Sequence, residues 1–218
     1  MGPARFIGTR ELATVLARAA RRARLPVAFS RGHHPLPRLS FGPALPLGAS
    51  SEDELFDVDL TAAVAPPDAL ARLGGELPDG LALLGAVEVP RSARSIDESV
   101  AAFRWEVDLG GLPQPPAPQS VAAAVSRFRS GASLPVSKAG KRGERTVDAR
   151  DTITALEQPG PERLVVEIAV GRDGTLRPSA VVGALLGLDA ATLPALRVHK
   201  LATRFHTASV PTAAPVAS

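Results

Sequence analysis

The hydrophobic period switches repeatedly between about 3.6 and 2 along this chain, and that switching restricts the fold more than any other feature. "TRELATVLARAARRARL" (9–25) places Leu12, Val15, Leu16 and Ala19 on one helical face, with Arg18, Arg21 and Arg22 largely opposite. Thr9 is the expected N-cap and Pro26 the expected stop. "PVAFS" (26–30) then reads as a short strand. "DELFDVDLT" (53–61) alternates, with Phe56, Val58 and Leu60 on one side and Asp57 and Asp59 on the other. "PPDALARLGGEL" (66–77) carries proline at a helix start and a glycine pair at its end. "LALLGAVEV" (81–89) reads as a further strand.

The order returns after the polar joint "PRSARSIDES". "VAAFRWEVDL" (100–109) is a strand with Phe103, Trp105 and Val107 on one face, and "QSVAAAVSRFRS" (119–130) a helix. "LPVSK" (134–138) and "RTVDARDTITAL" (145–156) read as two strands around the turn "AGKRG". "RLVVEIAV" (163–170) is a strand, "GRDGT" a tight turn, "RPSAVVGALLGL" (177–188) a helix entered through Pro178, and "ALRVHKLATRF" (195–205) a closing strand. The second half therefore reads β-α-β-β-β-α-β. The first half reads the same way without its opening strand. The expected fold class is α+β, with two tandem ferredoxin-like (split βαβ) modules, the first lacking its opening strand. The expected division is a first module over 1–90, a joint over 91–99, a second module over 100–206 and a disordered tail over 207–218.

Composition removes whole classes of function. The chain has no cysteine among its 218 residues. It cannot ligate an iron–sulfur cluster through its own thiolates, and it has no cysteine nucleophile, Cys-ligated zinc or disulfide framework. No apolar run approaches the roughly 18–20 residues of a membrane helix. Arg5, Arg10 and Glu11 interrupt any leader-like apolar stretch. The expectation is a cytoplasmic protein with no membrane partner. Aromatic residues are only 4% of the chain, so its core is built from Leu, Val, Ala and Ile.

Charge is segregated. Residues 1–38 carry net +7, residues 39–100 net −8 and residues 101–218 net +4. The candidate anion- or RNA-binding residues are Arg10, Arg18, Arg21, Arg22, Arg31, His33, His34 and Arg38 in the first segment. Lys138, Lys141, Arg142 and Arg145 join them on the "KAGKRGERT" turn. Guanidinium groups match phosphate oxygens, and Gly140 and Gly143 let backbone approach an anion closely. Base-stacking aromatics look scarce, because Phe29, Phe41, Phe103 and Trp105 fall mostly on expected core faces.

The loop "SRGHHPLPRLSFGPALPLG" (30–48) reads as a proline-stiffened platform. It holds Arg31, His33, His34 and Arg38 outward, with Leu39, Phe41, Leu45 and Leu47 as core anchors. Adjacent His33 and His34 could rarely both take one metal ion in good geometry, so no metal or cofactor is expected. Asp57 and Asp59 are more often a solvated acidic face than a proton shuttle. No serine sits in a G-x-S-x-G elbow, and no catalytic residue is assigned.

Several stretches together carry a resemblance. They are "RRARLPVAFS", "PRLSF" (37–41), "LPLG" (45–48), "SEDELFDVDL" (51–60), "PVSKAGKRGERTVDAR" (135–150), "GTLRPSAVV" (174–182) and "VHK" (198–200). Over most of residues 4–204 the chain resembles the radical-SAM-linked domain family of unknown function, found beside or fused to radical SAM proteins with a B12-binding region. The resemblance implies a radical SAM protein as partner, and with no cysteine the chain cannot itself be that enzyme. The family pattern has "SHLDL" where this chain has "GTREL" (8–12), and "GFNPHP" where it has "GHHPLP" (32–37). Thr9, Glu11 and Leu36 thus replace a His, an Asp and a His, and any activity resting on those histidines loses its residues here. The family also begins with a basic strand upstream of Arg5. The expectation is that the natural start lies upstream, or that a strand-donating partner or self-association supplies the missing pairing.

The leading functional expectation is an accessory binding module that presents RNA or another anionic substrate to the radical SAM partner. The alternatives are a stand-alone enzyme, with or without a metal ion, using the loop histidines and the Asp57/Asp59 face, and a protein–protein adaptor.

Overall fold

A computed structural model describes residues 7–140, 143–171 and 174–206. The architecture is α+β. The chain forms two compact units, one from Met1–Leu47, Glu54–Ser99 and Phe205–Ser218, the other from Gly48–Asp53 and Val100–Arg204. The expected tail over 207–218 lies outside the described residues.

In the first unit, α1 (Thr9–Arg22) buries Leu16, Ala19 and Ala20 on one face. Small alanines let neighbouring elements approach closely, and the cluster continues through Ala23, Leu25 and Leu73. Gly8, not Thr9, is the N-cap: the Glu11 carboxylate accepts from the Gly8 N–H at 3.1 Å. The helix also stops before Pro26. Arg24 turns left-handed (φ 52°) and the Leu25 N–H donates to the Ala20 carbonyl at 3.0 Å, closing the last turn. A left-handed non-glycine residue costs roughly 1–2 kcal/mol. The Arg72 guanidinium offsets this by donating twice to the Ala23 carbonyl, at 3.0 and 2.7 Å, and also to the Arg24 carbonyl. Arg72 belongs to α2 (Pro66–Gly74), which has proline at its start as expected.

The strands of this unit are short. β1 (Leu39–Phe41) pairs antiparallel with Phe56–Val58, in the register Ser40 opposite Asp57. The expected strand at 26–30 forms only single bridges, Val27 to Leu60 and Phe29 to Pro37. Residues 81–89 form no strand at all, despite their composition. A strand needs a neighbour to satisfy its backbone, and none of the described residues provides one. The joint ends in a short helix, Ile96–Ser99. Among the described residues this unit's sheet is therefore two-stranded.

The second unit is built on a five-stranded sheet. In chain order its elements are β2 (Ser50–Ser51), β4 (Val100–Asp108), α4 (Pro118–Arg129), β5 (Pro135–Gly140), β6 (Gly143–Asp148), β7 (Ile153–Gly160), β8 (Arg163–Ala169), α5 (Pro178–Leu186) and β9 (Arg197–Phe205). β3 (Phe56–Val58) and α3 (Ile96–Ser99) are the strand and short helix of the first unit. The sheet order is β2-β9-β4-β8-β7, and β5 pairs only with β6, as a separate hairpin. β4 runs antiparallel to β8 with Trp105 opposite Val166, and β7 runs antiparallel to β8. β2 was not expected; it pairs parallel with the edge of β9, Ser50 opposite His199.

One expected strand is two. "RTVDARDTITAL" breaks at a turn of 3-10 helix, Ala149–Asp151, which separates β6 from β7. The Asp148 carboxylate accepts from the Arg150 N–H at 3.0 Å and bends the chain away.

Alternation along β4 sends Phe103, Trp105 and Val107 inward to meet Leu164, Val166 and Ile168. Val121, Ala124 and Val125 of α4 and Val181, Val182 and Leu185 of α5 complete this core. After β4 the chain passes against backbone: a Cβ added to Gly111 would collide with the Ala195 carbonyl oxygen. Backbone yields less readily than a side-chain tip. Gly111→Ala is therefore expected to destabilise the protein by about 1–3 kcal/mol, read as a lowered urea midpoint with an unchanged slope. Arg24→Gly is expected to act oppositely, raising the midpoint by removing left-handed strain.

Candidate functional site

The amphipathic geometry of α1 determines where its arginines go. Residues 10, 14, 18 and 21 are spaced four, four and three apart and are all exposed, forming one stripe opposite the alanine face. At about 1.5 Å per residue the stripe is roughly 17 Å long. Arg21 and Arg22 lie in the last turn, where cations suit the helix dipole. Arg22 is taken by Glu76, with Nε to Oε2 at 2.7 Å. Arg10, Arg18 and Arg21 make no ion pair or side-chain hydrogen bond among the described residues.

The loop after α1 is closed on itself. The Ser30 N–H donates to the Leu36 carbonyl at 2.8 Å, and the Leu36 N–H donates to the Ser30 hydroxyl oxygen at 2.9 Å. Gly32 sits at φ 136°, a conformation open to glycine. Arg31, His33 and His34 are exposed on this closed loop. Arg38 is drawn to Asp59, 3.0 Å away. Of the expected anchors, Leu39, Phe41 and Leu45 are half-buried, with Phe41 stacked on Phe56 at 6.1 Å. Leu47 is 76% exposed and anchors nothing. Phe29 is also no core residue: it is 57% exposed at the base of the Arg31–His34 loop.

On the hairpin of the second unit, the Lys138 ammonium donates to the Gly174 carbonyl at 3.0 Å. Arg145 is exposed and has an interaction of its own. Lys141 and Arg142 lie outside the described residues. The α1 and loop cations thus belong to one unit and the hairpin cations to the other.

The solvent side of the five-stranded sheet is different. Arg104 pairs with Glu157 (3.0 Å), Arg204 with Glu167 (3.2 Å), Arg197 with Asp108 (3.4 Å) and Arg163 with Glu106 (3.9 Å). Each exposed pair contributes about 0–1 kcal/mol. Together they neutralise the face, and Phe103 and Trp105 point away from it. Among the described residues this sheet face therefore lacks both the free cations and the aromatics of a base-stacking platform.

A Ser–His–Glu cluster lies where β2 meets β9, and residues so distant in sequence gave no sign of it. Ser50 Oγ is 2.8 Å from His199 Nδ1, and His199 Nε2 is 3.4 Å from Glu52. In the serine-hydrolase relay the serine bonds Nε2 and the acid bonds Nδ1, the reverse of this order. Glu52 is also mostly exposed. The cluster instead clamps β2 to the sheet, alongside the Glu52 N–H on the Lys200 carbonyl (3.1 Å) and the Thr203 N–H on the Asp53 carboxylate. Lys200 itself is buried, 5.0 Å over the Phe103 ring.

No group of three His, Asp or Glu residues able to hold a metal ion occurs among the described residues. Asp57 is nevertheless perturbed by its surroundings. Partial burial, then repulsion by Asp59, raises the Asp57 pKa above the ordinary carboxylate value.

The molecule is thus an α+β protein with an arginine-striped helix on one unit and a charge-paired sheet on the other. A family described as an uncharacterized protein conserved in bacteria (DUF2344) matches residues 1–178. The chain belongs to that family. A search of curated proteins finds no match. No helix among the described residues is long and apolar enough to cross a membrane.

The base of the cationic hairpin makes a pH-dependent contribution. Asp148 accepts from the Ser133 hydroxyl (2.7 Å) and from the Leu134 and Arg150 N–H groups (2.9 and 3.0 Å), and these bonds lower its pKa in that order. A depressed folded-state pKa contributes stability above the unfolded value of about 3.9, lost as pH falls through the folded value. Asp148→Asn is therefore expected to be less stable than the parent at pH 7. Urea titrations should show that difference closing as pH falls below the unfolded value of about 3.9 and through the lower folded value.

Proposed function

We propose that the protein is an accessory binding module that works with a radical SAM enzyme and presents RNA, or another anionic substrate, to it. One contrast carries the reading. The arginines of the sheet are matched with carboxylates, whereas Arg10, Arg18, Arg21 and Arg31 are exposed and have no partner among the described residues. Unmatched guanidinium groups along one helix face are placed to meet successive phosphates and release counterions. Arg10 adds weight: a cation in the first helical turn opposes the dipole, so its position brings the helix nothing. Phe29, exposed beside Arg31, His33 and His34, is available to stack on an unpaired base.

The sequence resemblance to the radical-SAM-linked family favours a radical SAM partner, and a chain without cysteine leaves any cluster chemistry to that partner. The order β9-β4-β8-β7, with α4 and α5 as crossovers, favours a ferredoxin-like second module with the β5–β6 hairpin inserted. A ferredoxin-like first module has four strands, two more than the two-stranded sheet of this unit among the described residues.

The test is binding of a short single-stranded RNA across a salt series. The logarithm of affinity is expected to fall linearly with the logarithm of salt concentration. Arg18→Ala/Arg21→Ala should reduce that slope by about 0.7 for each phosphate no longer neutralised. Phe29→Ala should weaken binding by about 1–3 kcal/mol with the slope unchanged. Salt-independent binding, or no binding at low salt, would remove RNA as the substrate.

A further inference from the structure

One edge of β3 and the stretch 82–89, both in the first unit, have no backbone partner among the described residues. β3 meets β1 through residues 55, 57 and 59: the Gly42 N–H donates to Leu55 at 3.4 Å, and the Asp59 N–H to Arg38 at 3.1 Å. Alternate residues of an antiparallel strand direct their N–H and C=O groups to opposite edges. The groups of Phe56, Val58 and Leu60 therefore point to the other edge, where nothing among the described residues bonds them. Residues 82–89 are similar. The flanking bonds run from Leu81 to Pro78 and from Ala93 to Pro90, and no backbone bond involves the residues between among those described.

Both stretches cover one core. Phe56 and Leu60 from β3 and Leu83 from the second stretch all pack on the cluster built from α1 and α2. Leu84, Val87 and Val89 remain exposed, at 71%, 42% and 39%. The composition of 81–89 is that of a strand, so what it lacks is a neighbour. Exposed apolar residues beside an open strand edge make a template for an incoming strand.

The charges restrict what enters. Asp57 lies on the face opposite Phe56 and has no cation or hydrogen-bond donor among the described residues. Glu88 likewise has no partner among them.

We propose that the open edge of β3 takes a β-strand from a different polypeptide, apolar toward the α1/α2 core and carrying Lys or Arg near Asp57 and Glu88. Residues 82–89 pair with its other edge. Backbone bonds to Phe56, Val58 and Leu60 supply affinity, and the two carboxylates select a basic segment over an acidic one. The site is independent of nucleic-acid binding, since it uses none of the arginines of α1.

The probe is a capped synthetic peptide, TVKVRVKT, added to the full chain and followed by residue-resolved amide exchange. In the free protein the amides of Phe56, Val58, Leu60 and 82–89 are expected to exchange rapidly. The peptide should slow them at least tenfold. The same peptide with Glu for every Lys and Arg, or N-methylated at alternate amides, should not. Asp57→Asn should weaken peptide binding at least threefold while raising stability at pH 7, because it removes a carboxylate that the fold holds at a cost. The ligand-side controls do not depend on any variant folding. No slowing at millimolar peptide, or equal slowing by the Glu peptide, overturns the proposal. So does protection that grows with protein concentration alone, which would make a second copy the occupant.

Discussion

The pairing of β4 with β8 and β9 organises the second unit. β4 is nine residues long and is hydrogen-bonded to a neighbour on each side, β9 and β8. Its strict alternation then separates two environments. Phe103, Trp105 and Val107 go to the helices, and Arg104, Glu106 and Asp108 go to solvent. A slip of one residue would exchange the two sets, burying three charges and exposing three large apolar groups. The ion pairs to Glu157, Arg163 and Arg197 follow from that register, and the neutral solvent face follows from the ion pairs.

The first unit obeys a different rule. Its core is a helix pair built on small residues, and its strands are too short to form an enclosing sheet. Arg72 holds the two helices together by donating to the carbonyls at the end of α1, the groups a helix end leaves unsatisfied. Among the described residues the unit therefore keeps an unpaired strand edge over a covered core. The functional reading and the strand-docking proposal use different surfaces of it: one uses the cations of α1, the other an edge beside unpaired carboxylates.

The long, strongly periodic elements were legible in the sequence. β4, β8, β9, α1, α2, α4 and α5 fall where their periods place them, because burying one face requires that spacing whatever the partner. The exposure of Arg18 and Arg21 was legible for the same reason. The pairing of Arg22 with Glu76 and Arg38 with Asp59 was not, since it depends on residues 54 and 21 positions away. Phe29 and Leu47 were misplaced because apolar residues in short proline-bounded segments have no period to orient them. Residues 81–89 carry strand composition without forming a strand, because composition cannot provide the neighbour.

By itself, the sequence determined an α+β chain without thiol chemistry, with segregated charge and a helix whose arginines must face water. Those conclusions rest on residue type and local period alone. Only the tertiary structure decided which cations are neutralised, that Ser50 and Glu52 meet His199, and that one edge of β3 is unpaired among the described residues. Each of these depends on which distant segments the packed backbone brings within hydrogen-bonding distance, and a local pattern carries no such information.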